Sequence, residues 1–333
     1  MYPAFRNRNK SGLEENIIIQ FREFRLEDKP IIDAYFKEHR YEQSECCFTT
    51  LFMWQKPYEI QWAEENNVLY IRSGRGNQQF WLPPFSGKDA HFVDGLRRAE
   101  EWFAAHDYPF LLKGVDPNVV ERMKTLCPTC YEFTADRDNF EYIYSTQELI
   151  SLSGKKFRQK KNHLNYFRTH YSNYEYTAIT EDMIPECLEA MNAWFDQHGA
   201  ADEEELAELE AEKAGIRLLF ENWTALGLTG GAIRIYGKME AFTIGEMLNE
   251  DTALIHIEKG NPVYRGIYQA INNDFVRHAW SHTTYINREE DMGHPGLRQA
   301  KEGYNPVKFA EKYDVVLLPG CSLPKMEAAA KAE

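Results

Sequence analysis

The 333-residue chain lacks any run near the roughly 18 consecutive apolar residues that a membrane-spanning helix needs. Its first residues, MYPAFRNRNKSG, also lack the apolar centre of a secretion signal. Both absences predict a soluble, cytoplasmic protein without a transmembrane segment. Positive charge is in short supply: 38 Lys and Arg stand against 52 Asp and Glu, a formal net charge of -14. That balance argues against a protein whose main task is gripping nucleic acid, while leaving room for a local basic patch. Cysteine is sparse and poorly arranged for a scaffold. Cys46 and Cys47 are adjacent, which suits no disulfide framework, and Cys127-Pro-Thr-Cys130 is a lone CxxC. A zinc site normally uses a second such pair, and a redox dithiol sits at a helix start beside a strand. Neither context is evident, so no metal site is expected and the cysteines read as buried or surface thiols.

What the chain does have is apolar material for real cores, 43% hydrophobic with 14% aromatic residues. Its length predicts two domains, since single cores grow to about 100–200 residues. Strand-like segments at 58–64, 68–73 and 78–82 are separated by Asn- and Gly-containing turns and read as an antiparallel meander. A helix follows at 90–106, a strand at 110–114 and a helix opened by Pro117. Segments 131–134 and 140–144 read as a closing hairpin. The second half repeats this order with strands at 228–236, 241–248 and 252–257, a helix from Tyr264 and a strand at 283–287. The expected organisation is a domain at 16–148, a second at 149–318 and a flexible tail at 319–333.

The stretch 252–280 organises this plan. Ala253, Ile255 and Ile257 alternate as in a half-buried strand, Gly260-Asn261-Pro262 breaks it, and Ile267, Ala270, Ile271, Phe275 and Ala279 form one face of a helix. A strand running through such a turn into a helix aims free N–H groups at the turn, which suits a phosphate. Lys259, Arg265 and Gly266 are the cofactor-binding candidates there. Lys156 and Lys160 join them from the one dense basic cluster, Lys155, Lys156, Arg158, Lys160 and Lys161, on a helix whose other face carries Phe157, Leu164, Phe167 and Tyr171. That cluster is either a solvated helix face or a groove for phosphates of a cofactor or an RNA end. The strand–turn–helix resembles that of acetyltransferase-type (GNAT) folds, whose helix N-terminus holds the pyrophosphate of coenzyme A. It departs from them in carrying a single glycine, in Tyr264-Arg-Gly-Ile-Tyr268.

A more specific resemblance rests on Phe242-Thr-Ile-Gly-Glu246, His256-Ile-Glu-Lys259, Tyr285-Ile-Asn-Arg-Glu-Glu-Asp291, Gly296-Leu-Arg-Gln-Ala-Lys301 and Tyr304-Asn-Pro306, taken in order. This set resembles the DUF2156 family, whose fold is shared with the C-terminal domain of bacterial phosphatidylglycerol lysyltransferases. The likeness covers about residues 16–318. It implies an α+β fold of two tandem acetyltransferase-like domains, each a mostly antiparallel mixed sheet flanked by helices. It also implies transfer of an aminoacyl group from aminoacyl-tRNA.

Acyl transfer to an amine needs a proton acceptor, a polarised carbonyl and a proton for the leaving group. Strict alternation would place His256 and Glu258 on one strand face, opposite Ile255 and Ile257, with Glu246 and Tyr285 on flanking strands. These four are the catalytic candidates. Asn287, Arg288, Glu289 and Asp291, followed by Arg298, Lys301 and Tyr304, are the substrate-binding candidates, because an arginine held by carboxylates can receive an anion in bidentate fashion. The expected activity is acyl or aminoacyl transfer from acyl-CoA or aminoacyl-tRNA to an amine or hydroxyl. The alternatives are a non-catalytic protein binding a small anion on the same fold, and an interaction module. No permanently bound cofactor is expected.

Overall fold

The computed structural model describes residues 19–75, 78–197, 199–200 and 202–323. Near the start of the described residues, Arg22 makes an isolated antiparallel bridge to Trp62. In chain order, α1 (Lys29–Lys37) starts with Pro30 in its first turn, where a missing N–H costs nothing. Then come α2 (Phe48–Trp54), β1 (Gln61–Glu65), β2 (Val68–Arg75), β3 (Gln78–Trp81) and α3 (Asp89–Ala105). Next are β4 (Leu111–Val115) and α4 (Pro117–Leu126), whose N-cap Asp116 accepts from the N–H groups of Asn118 and Val119. The middle of the chain holds β5 (Tyr131–Ala135), β6 (Glu141–Ser145), α5 (Thr146–Ser151), α6 (Arg158–His170), β7 (Glu175–Ala178), α7 (Ile184–Gln197), α8 (Glu203–Glu221) and α9 (Trp223–Leu226). It closes with β8 (Thr229–Ile235), β9 (Lys238–Met247), β10 (Thr252–Gly260), α10 (Ile267–Ala279), β11 (Tyr285–Asn287), α11 (Pro295–Glu302), β12 (Lys308–Ala310) and β13 (Tyr313–Leu317).

Among the described residues these strands form two mixed sheets. One has the order β1-β2-β3-β4-β13-β5, the other β12-β6-β11-β10-β9-β8-β7. The expected hairpin of 131–134 with 140–144 does not form. β5 pairs antiparallel with β13, and β6 pairs with β11 and β12 in the other sheet. Each half of the chain therefore lends a closing strand to the sheet built mainly by the other. The start of the expected tail is also fixed. Leu323 is buried and its N–H donates to Glu100 Oε2 at 3.1 Å, while 324–333 lie outside the described residues.

Packing follows the same pattern. Phe92, Leu96, Trp102 and Phe103 of α3 cover one face of the first sheet. Ile267, Ile271 and Phe275 of α10 cover one face of the second. Between the two sheets runs a third cluster that mixes the halves: Phe48, Leu51 and Phe52 of α2 with Ile216, Leu219 and Phe220 of α8 and Phe242 and Ile257. At Gly215 a Cβ would lie 2.7 Å from the Met53 side chain, so a glycine lets α8 approach α2. Cys127 and Cys130, expected as thiols, are joined in a disulfide. The turn that lets Cys130 N–H donate to Cys127 O brings their Cα atoms to 5.4 Å, a spacing a disulfide spans.

Where strands cross between sheets, Lys312 is 2% exposed, with Glu141 Oε1 and Glu45 Oε1 each 2.6 Å from its Nζ. Glu141 is fully buried and also accepts from the Ser44 N–H and hydroxyl and from Asn287 Nδ2. Burial pushes the Glu141 carboxyl up, but the Lys312 ammonium outweighs it and holds the group below its ordinary value. Burial pulls Lys312 down, and its carboxylates more than reverse that. The Glu141–Lys312 contribution is therefore fully present between about 4.5 and 10.5, whereas at Glu45 burial outweighs the Lys312 charge and pushes the carboxyl up to about 7, so that group opposes folding as it ionises. The Glu141–Lys312 contribution is lost as pH falls through the Glu141 value or rises through that of Lys312. Lys312→Met should cost about 3–5 kcal/mol at pH 7 by urea unfolding, because it strands a buried carboxylate. Adding Glu141→Gln should recover part of that loss. A single-variant cost below about 1 kcal/mol would mean the pair behaves like a surface salt bridge.

Candidate active site

The site is built where β10 departs from regular pairing. Ile255 pairs with Gly245 and Ile257 with Ile244, so His256 is an extra residue, a β-bulge. The bulge overturns the alternation expected from sequence. Ile255 packs in the α10 cluster and Ile257 in the α2–α8 cluster, and His256 and Glu258 are turned to opposite faces of the strand. β10 runs parallel to β11 only from Thr252 to Leu254.

On the α10 face, Glu258 Oε1 accepts from Arg288 Nη2 at 3.0 Å and Glu258 Oε2 from Asn272 Nδ2 at 3.2 Å. The Arg288 guanidinium lies 4.9 Å from the Tyr304 ring centre and 5.8 Å from that of Tyr144. Its Nη1 is buried and makes no hydrogen bond. Lys160 stands 4.3 Å from the same Tyr304 ring and donates to the Ala300 carbonyl at 2.9 Å. Burial first, and the nearby Arg288 charge second, pull the Lys160 amine down to about 8. The structure thus brings together Glu258, Arg288, Tyr304 and Lys160, with Lys301 supporting them. Lys301 donates to the carbonyls of Arg288 and Glu290, and burial lowers its amine to about 8.

On the α2 face, His256 Nε2 is 2.9 Å from Glu246 Oε1 and Nδ1 is 3.3 Å from Glu289 Oε1. The Cys47 thiol donates to the same Glu246 oxygen at 3.2 Å. Burial opposes charge on the imidazole, but Cys47 and the two carboxylates hold His256 well above its ordinary value. A ring kept as imidazolium is a poor proton acceptor.

The remaining candidates have partners elsewhere. Asn287 donates to Glu141 and to the Glu42 carbonyl. Asp291 accepts from Arg298 at 2.7 and 2.9 Å, from Tyr142 and from the Gly293 N–H, and Arg298 also binds Asp138. Tyr285 carries the Lys308 ammonium over its ring at 4.4 Å. Lys259 pairs with Glu212 at 2.8 Å and lies over Trp194, Lys156 pairs with Glu148, and Arg265 lies over Tyr166. In the turn before α10, the N–H groups of Asn261, Val263, Tyr264 and Ile267 all bond within the protein. Gly266, with φ of +92°, abuts the His163 carbonyl, where a Cβ would come within 2.4 Å. A cavity of about 630 Å³ beside Tyr41, Phe85, Phe92, Arg122 and Phe309 includes none of the candidates. Acid, base and aromatic groups converge instead at Arg288.

Reasoning from sequence missed Asn272, Tyr144 and Cys47. Asn272 carried a signal, a buried amide within the apolar span of α10.

Comparison with known proteins agrees with this architecture. Residues 36–316 match the family described as phosphatidylglycerol lysyltransferase, C-terminal, and the chain belongs to that family. A Bacteroides thetaiotaomicron conserved protein of unknown function is 34% identical, with a TM-score of 0.82 over 90% of this chain and all of that one. The C-terminal DUF2156 domain of a candidate lysylphosphatidylglycerol synthetase from Agrobacterium fabrum shares 12% identity, with a TM-score of 0.61 over 88% of this chain and 92% of that domain. An uncharacterized protein of Mycoplasmoides gallisepticum is 28% identical over 180 residues, 53% of this chain. The chain spans only 56% of that relative's length. Among the described residues no helix is long and apolar enough to cross a membrane.

Asp291 offers a test of the scaffold beside the site. Burial pushes its carboxyl up, but Arg298, Tyr142 and the Gly293 N–H outweigh it and hold it far below the ordinary value of 3.8. Its stabilisation is present above 3.8 and fades as pH falls through the lower folded value. Asp291→Asn should cost about 1–3 kcal/mol at pH 7, and the difference from wild type should shrink on acidification. Urea unfolding across pH checks both; a pH-independent difference would contradict the assignment.

Proposed function

We propose that the chain is an aminoacyltransferase that moves an aminoacyl group from an aminoacyl-tRNA ester to a hydroxyl or amine, at the cluster of Glu258, Arg288, Tyr304 and Lys160. One observation carries this reading: the Arg288 guanidinium has one nitrogen on Glu258 and another buried with no hydrogen bond, between two tyrosine rings. An aminoacyl ester presents an ammonium and a carbonyl oxygen that gains negative charge as the tetrahedral intermediate forms. Glu258 suits the ammonium, and Arg288 suits the oxygen. Lys160, with its amine near 8, is the proton acceptor. The acceptor's oxygen or nitrogen bonds to the carbonyl carbon and gives its proton to Lys160. The carbon–oxygen ester bond then breaks, and the ribose oxygen leaves with that proton.

Family membership supports aminoacyl transfer as the reaction class. The turn before α10 favours an aminoacyl ester over coenzyme A, because the N–H groups of Asn261, Val263, Tyr264 and Ile267 are already bonded and Lys259 is neutralised by Glu212. We read the two sheets as tandem acetyltransferase-like units whose closing strands are exchanged. The bulge in β10, its short pairing with β11 and its passage into α10 support that reading for the second sheet.

The test is transfer of labelled amino acids from a mixed charged-tRNA pool to lipid and amine acceptors. The rate should rise with pH through an apparent value of about 8, because the base must be neutral. Lys160→Met should lower kcat by about 10²–10⁴-fold and remove that rise. An unchanged rate and pH profile would take Lys160 out of the reaction.

A further inference from the structure

We propose that Cys47, Glu246 and His256 form a buried site for one tetrahedral divalent transition-metal ion, with Zn²⁺ the natural occupant. The three donors come from separate elements: the residue capping α2, strand β9 and the bulge of β10. One ligand atom from each lies within 4.8 Å of the others, with Sγ to Oε1 at 3.2 Å and Nε2 to Oε1 at 2.9 Å. Zinc bonds of about 2.0–2.3 Å put tetrahedral ligand atoms roughly 3–4 Å apart, so small shifts would seat the ion.

Three further features point to an ion rather than a chance cluster. Glu289 lies on the far ring nitrogen of His256 at 3.3 Å, the carboxylate–imidazole relay that orients metal-binding histidines. All three ligands are buried, at 6% exposure for Cys47, 8% for Glu246 and 9% for His256. The hydroxyl of Thr49, two residues after Cys47 in α2, is fully buried and lies beside the Glu246 carboxylate, a polar atom next to the fourth position. A thiolate, an imidazole and a carboxylate together select zinc or cobalt over magnesium or calcium. The ion would take the place of protons on the thiol and on Nε2. Lying on the opposite face of β10 from Glu258, it would clasp α2 to the second sheet rather than enter the transfer reaction.

The test uses the full chain, stripped with a chelator and dialysed against Co²⁺. One equivalent should bind with a thiolate-to-cobalt charge-transfer band, and Zn²⁺ should abolish the band. Cys47→Ser should remove the band, while Cys187→Ser should keep it. X-ray absorption of the zinc-loaded wild type, which needs no variant to fold, should show one sulfur and three nitrogen or oxygen ligands. Failure of stripped wild type to take up an equivalent, a band that survives Cys47→Ser, or a shell with no sulfur or more than one would overturn the site. None of these readings depends on aminoacyl transfer.

Discussion

The structure hinges on a single buried ammonium. Lys312 sits between β12 and β13, at the point where the chain leaves the second sheet for the first, and it is held by Glu141 from β6 and Glu45 from the segment before α2. A charge so deeply buried is tolerable only because its partner Glu141 is already hydrogen-bonded in place. Glu141 in turn orders Ser44 and Asn287. One ion pair therefore fixes the strand exchange, the approach to α2 and the end of β11 together. Replacing it with apolar side chains could preserve stability, but would leave the Asn287 amide that starts the Arg288 loop without its Glu141 partner, held through the Glu42 carbonyl.

That loop shows how a run of polar residues is divided among neighbours. Asn287 serves the Lys312 cage, Arg288 faces Glu258, Glu289 meets His256, and Asp291 locks Arg298. The bulge at His256 makes the division possible, since it lets two polar residues of β10 serve opposite faces. On the α10 face an arginine remains with a nitrogen to spare beside a lysine of lowered basicity. On the α2 face a thiol, a carboxylate and an imidazole converge. The two faces have different chemistry although a single residue, Ile257, separates His256 from Glu258.

Much of the fold was legible in the sequence. The meander of β1 to β3, the strands β8 to β10 and the apolar stripe of α10 all announce themselves by local periodicity. The strand exchange was not, because pairing of β13 with β4 and β5 depends on contacts far apart in sequence, and no local pattern marks Lys312 as buried. The bulge escaped for a related reason: Ile255 and Ile257 look like regular alternation until their partners on β9 are known. Of the residues the family resemblance singled out, Glu258, Arg288 and Tyr304 meet in space. Lys160 could have been read better. It falls three residues after Phe157 and four before Leu164, on the apolar face of its helix, where a lysine has to find a buried partner. The cysteine of the proposed metal site left no spacing signal, since its fellow ligands lie about 200 residues away.

On the proposed reading, Arg288 receives an aminoacyl group rather than an acyl-coenzyme A. Calorimetric titration with stable 3′-aminoacylamino-adenosine analogues of a charged tRNA end, one for each class of amino acid, tests it most directly. At least one analogue should bind the wild-type protein, Arg288→Ala should weaken it by about 1–3 kcal/mol, and coenzyme A should not compete. Saturable binding of acetyl-coenzyme A with no binding of any analogue would contradict that reading.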